Sequence, residues 1–388
     1  MHQKHTNITK PELGEFARNE LAILGTPCGA IQKLASKLVE KLSASWKIAY
    51  VDADHRSADL EQEHGADSDS TIAFGAGLAF TDKISFRRLD VKQEFNPYQN
   101  RQLFNAQDLV LVNGNHFKAK SQIVVIDPAK PLDLKLEKLT DVRLLILRDS
   151  STPVPDYLRQ HLPDLEQLPV YTLEQENEIA AFILAFLDQQ VPKLKGLVLA
   201  GGQSTRMQQD KGSLAYHGVD QREHVRTLLA TCSEQVYISC NQQQRDTLEN
   251  PNTILEDKFI GIGPMGGILS AMQQDPNSAW LTLACDLPYL SEHTLQYLVQ
   301  HRNPSKLATA FLDPDGKFPE PLLTIWEPRA YQVLLSFLAQ GYTCPRKVLI
   351  NADVELLQAP DVQELRNVNY PEEYQEVMRD IQNSKTKI

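Results

Sequence analysis

The chain has 388 residues, 42% hydrophobic and 23% charged, which suits two globular domains and excludes bulk disorder. Its formal net charge of −11 is shared almost evenly by the two halves, so neither half is a basic nucleic-acid-binding module. The longest apolar runs, such as 279–285, fall well short of the roughly 20 residues that span a bilayer, and the first residues lack the apolar core of a signal peptide, so no membrane role is expected.

In chain order, a strand is expected at Glu20–Leu24. A helix follows with Ile31, Leu34, Ala35, Leu38, Val39 and Leu42 on one face, then a strand at 47–51. That β-α-β unit implies a parallel sheet, extended by strands at 109–112, 122–126 and 143–147. A helical pattern over 174–189 ends at Gln189-Gln190-Val191-Pro192, which sets a boundary between domains 1–191 and 192–388. The second half alternates in the same way. Strands are predicted at 194–200, 235–240, 253–255, 279–285, 307–312 and 321–326, and helices at 222–232, 266–274, 291–301, 328–340 and 371–383. The fold class is α/β, two tandem doubly wound domains, and the last residues from 383 on read as a polar tail.

Five cysteines (Cys28, Cys232, Cys240, Cys285 and Cys344) form no C-x-x-C pair, which argues against a disulfide framework or structural zinc site and for the cytoplasm. Glycine is concentrated: nine of 18 lie between Gly196 and Gly267. Within that stretch, Leu197-Val-Leu-Ala-Gly-Gly-Gln-Ser-Thr-Arg-Met-Gln-Gln-Asp-Lys211 runs an apolar strand into Gly201-Gly202 and a loop bearing Arg206 and Lys211. Glycine amides, a guanidinium fork and an ammonium at the carboxyl end of a strand fit a triphosphate. Asp286, at the end of another apolar strand and followed by Pro288, is costly to bury unless paired and meets the demand of Mg²⁺ for one or two carboxylates. The alternative for Asp286 is a helix N-cap, for which Ser291 is better placed.

The glycine string resembles the L-A-G-G-x-S-x-R-M-G-x-D-K signature of the molybdenum cofactor guanylyltransferase family, with Gln208 at the one departing position. Further segments are similar to the family's later motifs: Val236–Asn241; Leu255-Glu-Asp257 with Gly263-Pro-Met-Gly-Gly-Ile268; Leu281–Pro288; Pro319-Glu-Pro-Leu322; and Asn367–Glu373. The resemblance implies a Rossmann-like nucleotidyltransferase with Lys211, Arg206 and Asp286 as catalytic residues and Asp286 as the Mg²⁺ ligand. It places Leu199, Ala200, Gly201, Gly202, Lys211, Ser239, Asn241, Asp257, Gly263 and Gly266 against the nucleotide. Glu320, Asn367 and Asn369 fall on the pterin side. The implied substrates are GTP and molybdopterin, and the implied partners are molybdoenzyme-delivery proteins. Local readings stay open beside these: Asp257 capping a loop, Asn241 ending its strand, Asn367 and Asn369 as turn residues. The histidines, His217 and His224 included, are assigned no catalytic role.

In the first half, Gly25-Thr-Pro-Cys-Gly-Ala30-Ile31-Gln32 sits where a phosphate loop would sit, yet G-x-x-x-x-G-K-[ST] would need glycine, lysine and a hydroxyl at 30–32. Asp52–His55, His64–Ser68, Phe74–Gly77 and Leu109–Gly114 resemble segments of the adapter family of molybdopterin-guanine dinucleotide biosynthesis, implying a P-loop-NTPase-like domain without an intact P-loop. The altered residues favour a domain kept for stability or partner contacts over one that binds GTP. Two rival functions stand beside the main one: a CTP- or sugar-phosphate nucleotidyltransferase of the same fold, and a non-catalytic protein that binds or delivers the cofactor.

Overall fold

A computed structural model describes residues 8–53, 71–201, 211–245 and 253–385. The chain forms two compact units: Leu13–Gln190, and Val191–Ile388 together with the first 12 residues. Lys10 and Glu12 are tied into the second unit through Asn277, whose Oδ1 accepts from the Glu12 amide at 2.8 Å and whose amide donates to the Lys10 carbonyl.

The first unit is built on strands β1 Glu20–Leu24, β2 Ile48–Val51, β5 Leu109–Asn113, β6 Ser121–Ile126, β7 Val142–Leu147 and β8 Val170–Thr172. They form one sheet in the order β2-β5-β1-β6-β7-β8, parallel throughout. Parallel strands covered on both faces carry unbroken apolar runs, and β1, β5 and β6 are buried at every position. Helix Cys28–Leu42 turns Ile31, Leu34, Ala35, Leu38 and Leu42 into the core against helix Glu176–Gln189 and the sheet. Val39, expected on that face, is only partly buried at its edge. Beside the sheet, β3 Leu78–Asp82 and β4 Arg87–Val91 form an antiparallel hairpin of their own.

The second unit carries β9 Leu194–Leu199, β10 Val236–Cys240, β11 Ile254–Glu256, β12 Ala279–Ala284, β13 Ala308–Leu312, β14 Pro319–Trp326 and β15 Glu355–Leu357. Their order is β11-β10-β9-β12-β14-β13-β15. β9 to β12 are parallel, and β14 runs antiparallel to both neighbours. That reversal matters for function, because it brings the start of β14 beside the carboxyl end of β12. Trp280 and Trp326 face each other across the β12–β14 register and are fully buried. Each large apolar side chain so buried stabilises the unit by roughly 2–3 kcal/mol before conformational entropy is counted. None of the five cysteines forms a disulfide. No helix among the described residues is long and apolar enough to cross a membrane.

Candidate active site

The carboxyl edge of β9, β10 and β12 brings together several of the residues that the sequence pointed to, Gly201, Lys211, Asp257 and Asp286 among them. β9 ends at Leu199. Ala200 is held there by its amide to the Ser239 carbonyl at 3.2 Å and by its own carbonyl, which accepts from the Gln244 side chain at 2.9 Å. Gly201 begins the loop. A Cβ at this position would lie 2.8 Å from the Asp257 carboxylate, so a larger residue would have to displace that carboxylate. Gly202, Arg206 and Gln208 lie outside the described residues.

The loop returns at Lys211, whose ammonium donates to Asn369 Oδ1 at 2.7 Å and lies 3.6 Å from Asp286 Oδ2. Asp286 follows β12, and its carbonyl accepts from the Val368 amide. Burial pushes its carboxyl above the usual carboxylate range, and the Lys211 charge opposes that shift. Its other oxygen, Oδ1, is buried and has no hydrogen-bond partner among the described residues, as is Asn367 Oδ1. Ser291, and not Asp286, caps the next helix, accepting from the Thr294 amide at 3.3 Å. Asp286 is therefore not spent on local structure, and an orphaned, buried carboxylate oxygen suits a cation.

The antiparallel β14 supplies Glu320, 2% exposed, to the same edge. Its carboxyl is raised first by burial and further by the Asp286 charge. The Leu322 amide, at 3.0 Å, and Arg346, at 3.5 Å, act in the opposite direction. Arg346 escaped the sequence reading: it belongs to no glycine-rich string, and only the strand reversal brings Glu320 to it.

At the ends of β10 and β11, Asp257 Oδ1 accepts from Ser239 Oγ at 2.6 Å, and burial raises its carboxyl to about 6. Gly263 opens helix Pro264–Gln274 with φ +63°, a left-handed conformation that glycine adopts without strain. Gly266 is buried against the Phe259 carbonyl, where a Cβ would come within 2.2 Å, so packing alone demands glycine there. Asn241 does more than end its strand. It exchanges bonds with Gln244, its Oδ1 accepting from the Gln244 amide at 2.9 Å and its amide donating to Gln244 Oε1 at 3.1 Å. Asn369 similarly gives its amide to Glu373, whose Oε2 also takes the Tyr370 amide, so it is both turn residue and Lys211 partner. His217 and His224 stack on each other at 3.8 Å, and His217 Nε2 lies 2.9 Å from the Pro288 carbonyl, two residues past Asp286.

Residues 196–358 match the family described as MobA-like NTP transferase domain. The chain is 37% identical over 186 residues to the molybdenum cofactor biosynthesis bifunctional protein of Synechocystis, covering 47% of this chain and 53% of that one. It thus spans about half that relative's length. It is 34% identical over 182 residues to a probable molybdenum cofactor guanylyltransferase of Trichormus variabilis, covering 46% of this chain and 88% of the relative. Among solved structures, MobB of Bacillus subtilis is similar at TM-score 0.32 and 13% identity, covering 43% of this chain and 95% of that one.

Proposed function

Since the chain belongs to the molybdenum cofactor guanylyltransferase family, we propose that it transfers GMP from GTP to the terminal phosphate of molybdopterin and releases pyrophosphate. In that reaction a phosphate oxygen of the acceptor forms a bond to the α-phosphorus of GTP, and the bond from that phosphorus to the pyrophosphate oxygen breaks. The nucleophile is already an anion, so no strong general base is required. The barrier lies in bringing anions together and neutralising the leaving group, which positioned cations and amides accomplish.

The observation that carries this reading is the Lys211 ammonium held between Asn369 and Asp286 at the carboxyl edge of the sheet. Lys211 faces the phosphates, and Arg206 with the Gly201 and Gly202 amides is assigned to the pyrophosphate. Asp257 and Ser239 line the nucleoside side, with Glu320, Asn367 and Asn369 toward the pterin. Asp286 is the residue that would hold Mg²⁺, and its orphaned Oδ1 fits that use. Bound there, Mg²⁺ would neutralise phosphate charge. The described residues contain no cluster of three or more His, Cys, Asp or Glu side chains able to hold a metal. Phosphate and water would therefore complete the ion's shell. We assign the work to the cytoplasm, and nucleotide binding to the second unit alone.

The test is pyrophosphate release with GTP, CTP, ATP and UTP, each with and without molybdopterin. Release that requires both GTP and molybdopterin supports the reading. Release with CTP in place of GTP would make the chain a cytidylyltransferase, and no release with any pair would leave a binding protein.

A further inference from the structure

The first unit contains a pair of side chains that this reaction does not use. Cys28 is the first residue of the 15-residue helix Cys28–Leu42, at the turn where a phosphate loop would present its amides. Pro27 precedes it, and no side chain caps the helix. The Cys28 sulfur lies 3.2 Å from Nε2 of His116, in the loop after β5. Asn115 braces the pair: its amide donates to the Thr26 carbonyl at 3.0 Å and reaches the same sulfur at 3.5 Å. Its Oδ1 is buried with no partner among the described residues.

There is room for a reactant. Cys28 is partly exposed, and a Cβ at Gly29 would meet nothing within 4 Å among the described residues. His116, but not Cys28, also lines a cleft of about 920 Å³ walled by Phe16, Val51, Phe95, Phe104 and Phe117. A nucleophile within hydrogen-bond reach of a base is the arrangement that activates thiols.

We propose that Cys28 and His116 form a nucleophile–base pair, and that Cys28 is a site of thiol–disulfide exchange with small disulfides. His116 Nε2 takes the thiol proton as the Cys28 sulfur bonds to one sulfur of the disulfide. The original S–S bond breaks, and the departing sulfur leaves as a thiolate that recovers the proton from His116. The incoming disulfide is the oxidant, so the step balances without another reactant.

The experiment treats the full chain with glutathione disulfide at pH 7 and follows mixed-disulfide formation at each cysteine by peptide mass spectrometry. The exposed Cys344 is the internal reference. Cys28 is expected to react about tenfold faster than Cys344, and His116→Gln to bring it to the reference rate with unchanged circular dichroism. Alkylation of the unaltered chain by iodoacetamide gives the same comparison should the variant fail to fold. Cys28 reacting no faster than Cys344 with either probe, or a folded His116→Gln chain reacting as fast as the parent, would overturn the proposal.

Discussion

Lys211 and Asp286 lie 3.6 Å apart at the carboxyl edge of the second sheet, and the same ammonium is 2.7 Å from Asn369 Oδ1. One cation is thus fixed by two anchors, while the second carboxylate oxygen of Asp286 stays buried without a partner among the described residues. Three distant stretches of sequence meet in this arrangement, and the first two predictions rest on it.

Asp286→Asn keeps the shape of the side chain and removes its charge. Because burial already holds the carboxyl above its usual range, neutralising it should not lower the melting temperature at neutral pH. Mg²⁺-dependent pyrophosphate release should fall by about 10²–10³, the usual effect of losing one preorganised charge interaction. Turnover close to that of the parent in the purified variant would remove Asp286 from the reaction.

Lys211→Ala should weaken GTP far more than GMP, since the ammonium is assigned to the phosphates beyond the α position. Dissociation constants for both nucleotides, measured in both proteins, give the comparison. Equal losses for the two ligands would place Lys211 away from the pyrophosphate.

The Asp257 carboxyl is raised from 3.8 to about 6, chiefly by burial. A raised carboxyl binds its proton more tightly in the folded state. Its stabilising contribution is therefore complete below about pH 4 and is lost as pH rises through about 6. Asp257→Asn, which retains an acceptor for Ser239, should match the parent in melting temperature near pH 4 and exceed it by a few degrees near pH 7. A difference that does not grow with pH would contradict the buried-carboxyl account.

Residues 191–388 hold every described residue assigned to the reaction and should retain nucleotidyl transfer when produced alone. Adding the first 12 residues should raise the melting temperature of that piece, because Lys10 and Glu12 bond to Asn277. Residues 13–190 should fold and show no micromolar binding of GTP or ATP by calorimetry. An inactive but folded second piece would mean that the first unit completes the site.

Much of this was legible in the sequence for a physical reason. Buried parallel strands are rich in consecutive apolar residues, so β1, β5, β6, β9 and β12 stood out, with errors of only a residue or so at their ends. Glycines forced by close approach, such as Gly201 against Asp257, mark a site before any contact is known. The reversal of β14 was not legible, since an apolar run carries no sign of direction, and with it went the link from Glu320 to Arg346. The β3–β4 hairpin was missed because both its faces are largely exposed and give no alternating pattern. Asn241 read as a ligand with strand termination as the alternative, and the geometry adds its exchange of bonds with Gln244. The Cys28–His116 contact joins residues with no periodic relation, which no local pattern can announce.

The central claim is that this chain moves a guanylyl group onto molybdopterin. The most direct test supplies GTP labelled at the α-phosphorus, molybdopterin and Mg²⁺ to the full chain, then follows the label by chromatography and mass spectrometry. The account predicts that the label appears in a molybdopterin guanine dinucleotide together with free pyrophosphate, and that Lys211→Ala and Asp286→Asn each suppress its transfer. Label that stays in GTP under conditions where the parent chain binds both substrates, or that moves only when labelled CTP is supplied instead, would contradict it.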